Sequence, residues 1–163
     1  MLSDAIPNQI KEVRIRKRMG IISCLLVLVT VLLLTGCGMP NVTQTEGNQF
    51  SVELKDPYYA DGFLTGDLVF VPTGELQQEL SSDAEQDPLE QVWAMLNPQA
   101  TYAGEEVPIS GSNGAVSREG DVLQSVTIHV ELIIPAEDAK QGQPVEIRLE
   151  GAKETLQFPL PNA

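Results

Sequence analysis

The sequence predicts a mainly β domain, an antiparallel β-sandwich with one short helix, behind a hydrophobic N-terminal signal helix. Three observations carry this. Apolar and polar residues alternate with period two in short runs from Phe50 onward. Gly, Pro, Asn and Asp clusters separate those runs. Only Asp87 to Leu96 combines a helix cap with a helical apolar period. Six or seven short strands, each with one apolar face, must bury those faces against one another. Two packed sheets are the economical solution.

In chain order, Phe50, Val52 and Leu54 alternate with Ser51, Glu53 and Lys55, and Asp56-Pro57 closes this first strand. Tyr58-Tyr59-Ala60-Asp61-Gly62 reads as a turn into a second alternating run, Leu64, Gly66, Leu68 and Phe70, which stops near Pro72. Together they predict an antiparallel hairpin. Glu75 to Asp87 is acidic and weakly periodic, a long loop or a frayed helix. At Asp87-Pro88-Leu89-Glu90 the signal sharpens: an N-cap, a proline suited to the first helical turn, and a glutamate three residues after the cap. Leu89, Val92, Trp93 and Leu96 then share one helical face, until Asn97-Pro98.

A strand follows at Tyr102, a turn at Ala103-Gly104-Glu105-Glu106, then Val107-Pro108-Ile109. Gly111-Ser112-Asn113-Gly114 is loop by composition. Val126, Ile128, Val130 and Leu132 form the clearest strand face, opposite Thr127, His129 and Glu131. Val145, Ile147 and Leu149 make the next strand, Gly151-Ala152-Lys153 a turn, and Leu156, Phe158 and Leu160 the last.

The first 36 residues have a different composition. Lys11, Arg14, Arg16, Lys17 and Arg18 form a basic block ahead of the aliphatic run Ile21 to Leu34. Basic, apolar, then small residues is the layout of a secretory signal peptide. Its ending, Leu34-Thr35-Gly36-Cys37, resembles the lipobox of bacterial lipoproteins. The resemblance implies cleavage between Gly36 and Cys37, acylation of Cys37, and a protein held on a membrane, facing outside the cytoplasm. An uncleaved anchor over Met19 to Met39 is the alternative, since about 20 residues span a bilayer of roughly 30 Å. Both readings place the rest of the chain outside. The division expected is a signal over 1–36, a lipidated cysteine and flexible tether over 37–48, and the sandwich over 49–163. Two or three acyl chains make attachment effectively permanent, because each buried methylene contributes roughly 0.8 kcal/mol.

Removing residues 1–36 leaves 127 of the 163 residues, enough for one core. It also removes five of the ten basic residues but only Asp4 and Glu12 of 23 acids, so five bases face 21 acids, a net charge of −16. Such a surface repels nucleic acid and anionic headgroups. Cys24 leaves with the signal and Cys37 is acylated, so the domain keeps no thiol for a disulfide, a zinc–thiolate site or a nucleophile.

Chemistry is sparse, and no catalytic residue, metal site or cofactor is expected. His129, the one histidine, sits on the polar face of its strand and reads as a solvated side chain. Glu105-Glu106 and Glu137-Asp138 are neighbours in sequence, and neighbours on a strand point to opposite faces, which argues against paired-acid hydrolysis. Asp83, Glu85 and Asp87 recur at every second position and form a weak calcium candidate without the order of an EF-hand loop; solvated loop acids are the plainer reading. Tyr58 and Tyr59, with Phe63 just beyond, form the candidate partner contact, since aromatics bury large area with few rotatable bonds.

The stretch VELKDPYYADGFLTGDLVF, then YAGEEVPISGSNGAVSREGD and a terminal LQFPLP edge, resembles the immunoglobulin-like ectodomains of Firmicute cell-envelope proteins, including those fused to anti-sigma factors. The resemblance implies an immunoglobulin-like sandwich and transfers no site residues. The lipobox replaces the cytoplasmic sigma-binding domain of the anti-sigma arrangement, so that signalling role is not carried over. The expected function is a non-catalytic binding or accessory module of the cell envelope, with a protein or envelope partner and no nucleic acid. A sensory or regulatory protein contacting a membrane partner is the alternative, and a hydrolase using acidic residues ranks below both. Metabolic labelling with a lipid precursor tests the leader: wild type takes up label and Cys37→Ala does not, whereas equal uptake removes the lipoprotein reading.

Overall fold

Nine strands and two helices make up the part of the computed structural model that is described here, residues 41–82, 86–140 and 142–161. The strands are β1 (Gln44–Glu46), β2 (Phe50–Ala60), β3 (Phe63–Pro72), β4 (Gln99–Tyr102), β5 (Glu105–Val107), β6 (Ile109–Glu119), β7 (Val122–Ile133), β8 (Pro144–Arg148) and β9 (Leu156–Pro159). Helices α1 (Gly74–Ser82) and α2 (Pro88–Leu96) fall between β3 and β4. All strand pairs are antiparallel, in one sheet of order β1-β2-β3-β7-β6 and one of order β5-β4-β8-β9. Both sheets contribute to a single core, with Val52, Leu68, Phe70 and Val126 from the first, Ile147 and Leu156 from the second. The chain is therefore mainly β, with two sheets sharing a core, consistent with a sandwich.

The predicted alternation holds in β2, β3, β7 and β8, where inward residues are buried and their neighbours half-buried or exposed. The β2–β3 turn is tighter than expected. Only Asp61 and Gly62 leave the strands, both at positive φ, as a two-residue primed turn requires. Asp56-Pro57 does not end β2 either. A bulge with Asp56 at φ 49° absorbs the proline, and Tyr58 to Ala60 rejoin the ladder. Both tyrosines are thus strand residues, on opposite faces.

Three further expectations need correction. There are two helices rather than one: α1 forms where a loop or frayed helix was expected. Its own sequence is weak, and tertiary hydrogen bonds hold it. Gln49 Oε1 accepts from the Leu76 amide at 2.8 Å, Gln77 donates to the Leu123 carbonyl at 2.9 Å, and the Leu123 amide donates to Ser81 Oγ at 2.9 Å. Second, the expected tether runs into the fold. β1 pairs with β2, while Val42 bridges to Gln157 and Gly47 to Ala152.

Third, Gly111-Ser112-Asn113-Gly114 is strand, the middle of β6. Its glycines serve packing rather than turning. A Cβ on Gly111 would lie 2.5 Å from the Trp93 ring, and one on Gly114 would lie 2.5 Å from Leu89 and collide with the Thr127 carbonyl. Gly111 and Gly114 pair with the buried Val130 and Ile128, so they occupy the inner face of the sheet, and α2 lies against that face. The helix itself forms as the sequence predicts. Asp87 Oδ1 accepts from the Leu89 amide at 3.0 Å, and Asn97 closes the C-terminus in the left-handed region.

Gly111→Val should therefore displace Trp93 and cost about 1–3 kcal/mol of stability, as overpacking typically does. Urea denaturation checks it: a midpoint equal to wild type would show that α2 does not depend on this approach.

Candidate functional site: the outer face of the five-stranded sheet

Cross-strand register arranges the outward side chains of β2, β3 and β7 into rows. Ala60 pairs with Phe63 and Phe63 with Ile133, so these three lie side by side nearest the β2–β3 turn. One step inward come Tyr58, Thr65 and Glu131. The next row holds Lys55, Asp67, His129 and, on β6, Ser112.

The first two rows leave large apolar side chains in water. Tyr58 is 58% exposed, Ile133 45% and Phe63 42%. Alternation explains why Tyr58 and Tyr59 part company. Tyr59 points inward, 7% exposed, and its hydroxyl donates to the Ile134 carbonyl at 2.9 Å. Of the two tyrosines named as a partner contact, Tyr58 is available at the surface, and the buried Tyr59 is withdrawn from that role. Phe63 and Ile133 complete the patch. Phe63 was legible as a neighbour of the tyrosines, but Ile133 was not, because its membership depends on the β3–β7 register.

His129 is outward, as its place on the polar face predicts, but it has a partner: its Nδ1 lies 3.0 Å from Asp67 Oδ1, both side chains being about half exposed. The same face carries Lys55, whose Nζ is 3.4 Å from Glu53. Exposed pairs of this kind contribute ~0–1 kcal/mol. Asp67 sits opposite His129 on the neighbouring strand, a relation that sequence alone does not disclose, whereas Glu53 and Lys55 share one face of β2 two residues apart.

The calcium candidate divides. Asp87 is committed to capping α2, while Asp83 and Glu85 lie outside the described residues, as do Gly36, Cys37 and the whole 1–36 leader. Among the described residues, no group of three or more His, Cys, Asp or Glu side chains is placed to hold a metal ion, and no helix is long and apolar enough to cross a membrane. The outer face of the second sheet carries a shallow groove of about 460 Å³, lined by Thr101, Glu106, Glu146 and Arg148 among others. It mixes both charge signs with the apolar side chains of Val107 and Ile109.

No family model matches the chain, and no curated protein or solved structure is significantly similar to it.

Electrostatics at the turn end are acidic. The Tyr59 phenol is held above its ordinary pKa of 10.0, first by burial, then by the nearby Tyr102, Glu137 and Asp61, against a smaller opposing hydrogen bond from Gly62. A raised phenol pKa means that the folded state keeps its proton where the unfolded chain has begun to lose it. Stability contributed by neutral Tyr59 is thus present below pH 10 and declines as pH rises from there through the folded value. Tyr59→Phe should flatten that alkaline decline, at some loss of stability near neutrality from the missing hydroxyl bond. Thermal melts between pH 8 and 11 check it, and parallel curves for the two proteins would remove Tyr59 as the source.

Proposed function

We propose that the chain is an extracytoplasmic lipoprotein, anchored through Cys37, whose immunoglobulin-like sandwich is a non-catalytic docking module of the cell envelope. The strand orders support the immunoglobulin-like reading. With β2 and β3 as strands A and B, β4 and β5 as C and C′, β6 and β7 as D and E, and β8 and β9 as F and G, the sheets run A-B-E-D and C′-C-F-G. The two helices then form an elaborated B–C connection.

One observation carries the docking role. Tyr58, Phe63 and Ile133 are adjacent, large, apolar and exposed on a regular sheet face. Scattered apolar residues on a surface need no explanation, but a contiguous aromatic–aliphatic cluster with polar neighbours marks a contact surface. It also sits on rigid strands, so little ordering cost opposes association. The lipobox-like Leu34-Thr35-Gly36-Cys37 supports the location, and the acidity of the mature chain disfavours nucleic acid as the partner.

The test uses the full lipidated chain solubilised from membranes. Tyr58→Ala with Phe63→Ala should leave the melting temperature and membrane attachment nearly unchanged, since both residues are surface positions. The same pair should abolish co-purification of the protein recovered with wild type. Unchanged recovery would move the docking role off this face.

A further inference from the structure

The point at which the chain joins the domain limits how far a lipid on Cys37 can lie beyond the turn end of the sandwich. Gln44 pairs with Glu53, and the Leu54 amide donates to the Thr43 carbonyl at 2.7 Å, which sets Val42 level with Lys55. β1 is antiparallel to β2, so the chain before Val42 heads toward the β2–β3 turn. That turn, Asp61-Gly62, lies beyond Lys55 by six residues, roughly 20 Å at strand spacing and less across the bulge. Only residues 38–41 separate Cys37 from Val42, and five steps of chain reach at most about 18 Å. A lipid on Cys37 therefore cannot sit farther out than about the level of the turn itself. This step rests on the lipoprotein reading proposed above.

The same end carries the apolar patch and a concentration of acid. Asp61 is in the turn, Glu131 is in the Tyr58 row, Glu137 and Asp61 both act on Tyr59, and Asp138 follows. Lys140 is the nearby exposed base, and Lys55 is drawn to Glu53. Apolar area favours contact with whatever lies at the membrane, but acids beside it are repelled by anionic headgroups and attracted by a basic surface.

We propose that this end of the sandwich, Tyr58, Phe63 and Ile133 with their acidic rim, docks onto the extracytoplasmic surface of a protein embedded in the same membrane, apolar at its centre and basic around it.

Site-specific photocrosslinking in intact cells tests this with the full lipidated chain. A benzophenone amino acid replaces Phe63 in one strain. In the control strain it replaces Val116, exposed near the opposite end of the sheet. The Phe63 probe should join one integral membrane protein, through a segment richer in Lys and Arg than in acids, with yield roughly tenfold above the Val116 probe. Asp61→Asn with Glu131→Gln, added to the Phe63 probe, should lower that yield roughly fivefold. Asparagine suits the left-handed backbone at 61, where φ is 51°, and a melt of the purified variant verifies folding. Adducts with lipid alone would assign the patch to the bilayer and overturn the proposal. So would a soluble partner, no adduct, equal yields from the two probes, or a yield indifferent to neutralisation in a folded variant. Fractionation and lipid labelling of the same cells separate this from failure of the anchor: unlabelled protein in the soluble fraction removes the lipoprotein reading, and with it the distance limit.

Discussion

A two-layer β-protein with no cysteine among its described residues must close its two open flanks with whatever the chain provides, and the rest of this structure depends on how that is done. Buried faces of β2, β3, β4, β7, β8 and β9 supply the core, but the sheets still end at β1, β6, β5 and β9, where water would reach it. On one flank the segment from Val42 to Gly47 pairs with β2 and bridges to the β9 side at Gln157 and Ala152, with Glu154 donating to the buried Thr45 hydroxyl at 3.1 Å. On the other, α2 lies against the inner face of β6 and seats Val92 and Leu96 in the core. Each closure uses a segment with another duty. The first is the exit of the chain toward Cys37, and the second is part of the connection between the two sheets.

The double use of the N-terminal segment links stability to placement. Because β1 is hydrogen-bonded to β2 and Val42 bridges to Gln157, the described chain is held in the fold from Val42 onward. The outer face of the same sheet holds the exposed aromatic row. The β2–β3–β7 register thus sets where the patch lies on the sheet and which of its faces carries it.

Sequence reasoning succeeded where the signal was local and failed where it was tertiary. Asp87-Pro88 and the i, i+3, i+4, i+7 pattern specify α2 through its own backbone and its own apolar face, so no distant contact was needed. The alternating runs of β2, β3 and β7 were legible for the same reason. The glycines of Gly111-Ser112-Asn113-Gly114 imitate a loop, yet they are small because Trp93 and Leu89 lie where side chains would be, a fact written 18 to 25 residues earlier in the chain. α1 escaped notice because Gln49, Leu123 and their partners hold it from outside. Of the surface patch, Tyr58 and Phe63 could be suspected from composition, but separating Tyr58 from Tyr59 required knowing that the strand ran past Pro57. Ile133 required the register of a third strand.

The bulge at Asp56-Pro57 decides which of the two tyrosines faces outward. Proline in a strand interior lacks an amide to donate and is tolerated at bulges and edges. Here the irregularity between Lys55 and Tyr58 shifts the register, so that Tyr58 pairs with Thr65 on the outer face and Tyr59 with Leu64 on the inner one. An uninterrupted ladder beyond the Lys55–Asp67 pair would set position 58 opposite Leu64, whose side of the sheet is buried. Period two leaves no intermediate: one residue of slip exchanges the two tyrosines. Tyr58 would then enter the core beside Leu64, and Tyr59 would lose the Ile134 carbonyl to which its hydroxyl now donates. The bulge is therefore a determinant of the patch, acting through the backbone rather than through any contact with a partner.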